Sequence, residues 1–472
     1  MVLASGLRFA WLLLAVALGC SRANPAYLGP GGDDAGLPPG DGADAGLADG
    51  SGGDEDAGGT SCAPGATSCL DRVLLECTSA AVWQVKQRCD SLCATDDPFT
   101  AHCGGFTVTN GLPECGSQSG HPDLVVEPAG TAYVVSTDEA SITLGGVTIP
   151  ALVVTPAEGP EIAAYKLGSI HVLDGAEIVA VGSRALAFYA ERDVVIAGAV
   201  RAGAGTRRPF LGSLLMPPAG SWTLISTWDG GPGGPVVGFS GAGGGGHATA
   251  GGDGGQGGML PAFGAGGVAY GTATLSPLLG GSLGGTLTLA VAAGQPFGGG
   301  AVEIVGCGSL VIGPTGVVSA NGFGGAGGVG GDAQRGGTGG GAGGAILLES
   351  PSIEIDGVVT AHGGGGGGGG CDAGDGSRGQ DGQESLEPAS GGMGAACAGP
   401  LVVAGAGGTG GVSVDFVPGS GGAAAADPAA GGGGGGAAGR VRLNSLEGGT
   451  QLSADAIVSP LGADSQGGLV VW

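Results

Sequence analysis

One spacing constrains this chain more than any other feature. Ile170, Val172, Ile178, Ala180 and Gly182 follow φ-x-φ-x5-φ-x-A-x-G, where φ is apolar, and Leu310, Ile312, Val318, Ala320 and Gly322 follow it with identical intervals. A degenerate copy sits at Thr450, Leu452, Val458, Pro460 and Gly462. A shorter form, φ-x-φ-x-G-x-φ-x-A, runs from Val194 to Ala202 and from Ile353 to Ala361. Upstream of four copies lies another alternating pair: Leu186 and Phe188, Val302 and Ile304, Ile346 and Leu348, Val441 and Leu443. Alternation puts such side chains on one face of a strand. Each unit therefore reads as three very short strands with two bends, roughly 17 to 22 residues long. Strands this short bury their apolar face only when the units stack.

Between units the chain inserts glycine, at 203–285, 322–344 and 362–439, each time after the strand that ends in Ala202, Ala320 or Ala361. Insertions that leave from one corner lie on one side of a stack. The 115 Gly and 27 Pro make roughly 30% of the 472 residues, and aromatics only 4%. Any core must then be Val, Ile, Leu and Ala, and the β-branched residues among them favour strands. The expected class is all-β: a right-handed parallel β-helix-like solenoid with long glycine-rich insertions, behind a small disulfide-rich module. An antiparallel β-sandwich or meander is the alternative. The back-to-back units from Gly168 to Gly205 resemble the β-helical repeats of filamentous-haemagglutinin-type adhesins and of the pectin-lyase-like fold, and that resemblance implies an adhesive surface protein. Glycine itself has two readings, a flexible coil or a bundle of polyproline-II-type helices packed where only glycine lets backbones touch. Gly322, Gly325, Gly328 and Gly331 keep a period of three, which favours the second reading. The runs Gly363–Gly370 and Gly431–Gly436 are similar in composition to the glycine-rich region of receptors of the anaplastic-lymphoma-kinase type.

The N-terminus, MVLASGLRFAWLLLAVALGC, has one Arg and an apolar stretch from Phe9 to Leu18, too short to span a bilayer and suited to a signal peptide. Its VALGC ending resembles the lipobox of bacterial lipoproteins, with Ala17 and Leu18 in inverted order. The resemblance implies lipidation of Cys20, and Ser21 implies sorting to the outer membrane, so the expected partner is a lipid anchor; secretion is the alternative. The divisions expected are a signal peptide and lipobox (1–20), a disordered acidic Gly/Ala/Asp tether (21–61), a Cys-rich disulfide module (62–115), an N-terminal β cap (116–168) and the glycine-rich body (169–472). Ten cysteines beyond Cys20 are the disulfide candidates: Cys62, Cys69, Cys77, Cys89, Cys93, Cys103, Cys115, Cys307, Cys371 and Cys397. The spacing of the last two suggests a bond across the third insertion, which leaves Cys115 for Cys307. The module is similar to six-cysteine modules between tether and body in some bacterial surface lipoproteins.

The chemistry-bearing candidates are few. GxSxG, HExxH, Walker and EF-hand sequences are absent, and GxGxxG strings are trivial in so glycine-rich a chain. Glu354 and Asp356 share one strand face, with Thr360 and His362 continuing outward, an arrangement suited to calcium, to acid-base work or simply to solvent. Trp222 and Trp228 have same-face spacing, suited to stacking on a sugar or to covering an apolar edge. Glu191, Arg192 and Asp193 read as a surface charge cluster. A net charge of −26 argues against nucleic acid as a partner. The expected function is therefore a non-enzymatic, structural or adhesive surface lipoprotein without a cofactor or metal, with an extracellular polysaccharide or protein as ligand. A polysaccharide lyase or hydrolase, or a protein-binding Cys-rich module on a scaffold, are the alternatives.

Overall fold

The computed structural model describes residues 62–203 and 239–471, together with Gly233 and apart from short breaks of which 287–295 is the longest. Cys20, the 21–61 segment, Trp222 and Trp228 lie outside the described residues.

From Leu124 onward, short strands are dealt in rotation to three parallel sheets. Ile162–Leu167, Ala185–Ala190, Ala301–Gly306, Ala345–Glu349 and Arg440–Ser445 pair in sequence as neighbours in the longest sheet. The second sheet stacks Leu124–Val126, Ile170–Val172, Val194–Ile196, Ser309–Ile312, Ser352–Ile355 and Thr450–Leu452. The third stacks Tyr133–Ser136, Glu177–Val181, Ala199–Arg201, Val317–Ser319, Val358–Thr360 and Ile457–Ser459. Every pair within the second and third sheets is parallel, which excludes the sandwich or meander for this part of the chain. Only the hairpin Ser141–Leu144 and Val147–Val154 joins the long sheet antiparallel. Leu124–Val126 and Tyr133–Ser136 fall within the 116–168 segment yet already belong to the parallel stack. Their registers carry no A-x-G signature, so sequence spacing does not mark them.

Identical positions of successive units meet in register: Val194 opposes Leu310, which opposes Ile353. These and their counterparts, including Ile178, Phe188, Val318, Ile346 and Val359, form one continuous buried core between the three sheets. The long sheet is buried on its outer face as well. Phe106, Val108, Leu112, Leu275 and Leu278 cover Ala187, Val305 and Leu347 there. Residues 62–104 form two small antiparallel units, closed by Cys62–Cys77, Cys69–Cys93 and Cys89–Cys103. Cys115–Cys307 fastens the module's exit to the long sheet.

The described parts of the glycine insertions are ordered. Gly364, Gly367 and Gly370 donate their N–H groups to carbonyls of Gly341, Thr338 and Arg335; Gly365 and Gly368 donate to Gln380 and Ser377; Gly363, Gly366 and Gly369 donate to Gly411, Gly408 and Gly405, at 2.8–3.1 Å. Their carbonyls accept in the same rotation. Gly433 donates to Gly367, Gly328 to Gly368 and Ala395 to Gly369. Three successive residues thus address three different neighbours on each count, as a helix of three residues per turn without internal hydrogen bonds must do. Six segments surround residues 363–370, and residues 430–437 are likewise bonded to 239–245, 252–258, 337–343, 364–370, 405–411 and 419–422.

A segment with neighbours on all sides has no direction left for a side chain. A Cβ at Gly366 would overlap the carbonyl of Gly433, and one at Gly367 that of Ala326. Edge segments keep one free direction in three, and it is filled by Ser390, Met393 and Ala396, or by Val403, Ala406 and Thr409. Replacing Gly366 by Ala therefore costs about 1–3 kcal/mol or more, read as a lowered thermal or denaturant midpoint. Gly374→Ala meets nothing within 4 Å and leaves that midpoint unchanged.

Candidate functional site

The outer face of the long sheet carries two carboxylates that apolar strand neighbours would not predict. Glu303 and Glu349 are fully buried. Parallel register sets Glu303 against Leu347 and Val305 against Glu349, so both acids project outward beneath the turn that leaves the Cys-rich module. Thr109 N–H and Oγ1 donate to Glu349 Oε2 at 3.1 and 2.9 Å, and Asn110 Nδ2 donates to Glu303 Oε2 at 3.0 Å. Arg442 Nε donates to Asn444 Oδ1 at 2.9 Å, and Asn444 Nδ2 to Glu349 Oε1 at 2.8 Å. Burial first, then the charge and hydrogen bond of Glu349, push the Glu303 carboxyl well above the usual carboxylate range. The pair is sealed under residues 106–112, and its partners clamp that turn onto the sheet.

A second cluster fixes the third glycine insertion to the third sheet. Arg201 Nε and Nη2 donate to the two oxygens of Glu384 at 2.7 and 2.9 Å, Arg201 Nη1 donates to Glu177 at 2.6 Å, and Ser319 Oγ donates to Glu384 at 2.9 Å. The hydrogen bond to Glu384 raises the Arg201 guanidinium pKa. Burial alone would raise the Glu384 carboxyl, but the Arg201 bond and charge, with Ser319, outweigh it and hold the carboxyl below the usual range.

The sequence candidates separate. Glu354 is exposed and Asp356 half-buried, and the strand neighbours of Glu354 are Val311 and Gln451, so no basic or acidic partner meets it in register. Thr360 and His362 do not continue outward into solvent as the strand parity implies. Both are fully buried because the 380–384 stretch lies over them. Asn321 Nδ2 donates to Thr360 Oγ1, His362 N–H donates to Asn321 Oδ1, and His362 Nδ1 lies 2.8 Å from the Gln383 carbonyl. Burial lowers the His362 pKa to about 4. His247, at the matching end of another interior segment, is buried with Nδ1 2.8 Å from the Gly343 carbonyl, and burial followed by the Arg440 charge lowers it to about 4. Glu191 is not a surface charge either. It is buried against His121 at 2.7 Å, while Asp193 bonds Arg72 of the Cys-rich module at 3.2 Å. Cys371 and Cys397 are unbonded, in contrast to the expected pairing across the insertion.

One accessible side of the glycine array is uncharged. Gly419 and Gly422 donate to Thr409 and Ala406, and Ala404 and Gly407 donate to Ala395 and Gly392, so segments 389–397, 402–411 and 418–424 lie side by side. Ser420, Thr409 and Ser390, then Ala423, Ala406 and Met393, form short uncharged rows across them, repeating along each segment about every 9 Å. Comparison with protein-family models, curated proteins and solved structures finds no match. Among the described residues no helix is long and apolar enough to cross a membrane.

The two acidic clusters give stability opposite pH signs. The raised Glu303 carboxyl contributes stability that is complete below its unfolded value and lost as pH rises through its folded one. Glu303→Gln removes that loss, so its advantage in midpoint over the parent chain grows with pH above about 4.3. The depressed Glu384 carboxyl contributes stability present above its unfolded value and lost as pH falls through the folded one. Glu384→Gln costs about 1–3 kcal/mol at neutral pH, and the deficit closes in acid. Denaturation midpoints across pH check both.

Proposed function

We propose that this chain is a non-enzymatic surface lipoprotein, anchored through Cys20, with a right-handed parallel β-helix as its body. In this reading the glycine array is the element presented to an extracellular polysaccharide or protein. One observation carries the reading. The buried groups Glu303, Glu349, His247 and His362 and the half-buried Glu384 are engaged in holding insertions and module against the strands, whereas the uncharged rows of segments 389–424 face outward. Four disulfides support an oxidising, exported setting. The exposed, unpartnered register of Glu354 gives a lyase or hydrolase little to build on.

Two measurements test this reading. Cys20→Ala, or a globomycin-type block of lipoprotein processing, moves the chain out of the membrane fraction; persistence there with unmodified Cys20 refutes the anchor. Ala406→Arg with Thr409→Arg, both on the outward row, lowers attachment of cells displaying the chain to a surface coated with bacterial exopolysaccharide severalfold. Unchanged attachment refutes the presenting role.

A further inference from the structure

Where the eight-glycine segment ends, three acid-forming side chains converge. Cys371 is fully buried, Cys397 half-buried and Asp372 exposed, and the two Sγ atoms and a carboxylate oxygen all lie within 4.8 Å of one another. Neither thiol is bonded, although four other cysteine pairs are. The backbone holds the three in place. Cys371 and Gly374 exchange N–H···O bonds of 3.0 and 3.2 Å, Cys397 N–H donates to the Val402 carbonyl at 3.1 Å, and Ala398 N–H donates to Asp372 Oδ1 at 3.3 Å. Ala395, Ala404, Ala429 and Val402 pack around the sulfurs.

A tetrahedral ion with metal–sulfur bonds of about 2.3 Å and metal–oxygen bonds of about 2.0–2.2 Å spaces its ligand atoms roughly 3.4–3.8 Å apart, inside the spread found here. Two thiolates select against calcium and magnesium, which take oxygen ligands, and favour a borderline or soft d10 ion. We propose that Cys371, Asp372 and Cys397 bind a thiophilic divalent ion of the zinc and cadmium class, with water as the fourth ligand on the exposed side. Binding releases both thiol protons to solvent. It ties the end of the 363–370 segment to the end of 389–397, where side-chain packing is sparse. The site does not depend on the surface role proposed above.

The test uses the full chain purified without reductant or chelator. Cadmium titration is expected to raise an ultraviolet sulfur-to-cadmium charge-transfer band that saturates at one ion per chain. Cys397→Ser abolishes the band, and Asp372→Asn keeps it while weakening affinity at least about tenfold. Peptide mapping that finds Cys371 joined to Cys397, or a chain with both of these thiols free that takes up no cadmium, overturns the proposal. Both of those outcomes are read on the unsubstituted chain, so a variant that fails to fold does not blunt them.

Discussion

Direct backbone-to-backbone packing governs this molecule. A threefold helix has no internal hydrogen bonds, so each N–H and C=O must find a partner on another segment, and the axes must come too close for a Cβ. Ordering a residue costs about 1–2 kcal/mol of backbone entropy, more for glycine than for any other. One net hydrogen bond returns about 0.5–1.5 kcal/mol. An array of this kind is at best marginal alone. It is ordered here because each insertion begins and ends on a strand that the apolar core already fixes, as Ala361 does before residues 363–370 and Arg440 after 430–439.

Polar clusters add to the apolar packing and the Cys115–Cys307 bond that attach array and module to the strands. Arg201 and Glu384 join the third insertion to the third sheet, and the Glu303–Glu349 pair holds the module's exit turn to the long sheet. Both lie on outer strand faces that a lone sheet would expose to water. Covering them turned ordinary surface positions into desolvated ones, which with the neighbouring Glu349 pushes the Glu303 carboxyl up, whereas the Arg201 bond and charge outweigh desolvation at Glu384 and hold that carboxyl down.

Much of the strand architecture was legible beforehand, because alternation and unit spacing are properties of consecutive residues. The five units marked by Ile170, Val194, Leu310, Ile353 and Thr450 occupy equivalent places in one sheet. The period of three at Gly322, Gly325, Gly328 and Gly331 is likewise visible as successive donations to His362, Gly365, Gly368 and Cys371. The polar clusters were less legible. Glu303 and Glu349 look like solvated alternate positions until residues 106–112 are laid over them, and Thr360 and His362 look the same until 380–384 arrives. Partners separated by 183 or 240 positions, as Arg201 is from Glu384 and Thr109 from Glu349, leave no local pattern.

The sequence by itself determined which residues form strands, which faces are apolar and where glycine must interrupt, since side-chain alternation and the missing Cβ act residue by residue. Only the tertiary structure decided which glycine segments are interior and which carboxylates are buried. Those depend on how many distant segments surround a position, and the runs Gly363–Gly370 and Gly431–Gly436 are pure glycine because each sits where neighbours close every side.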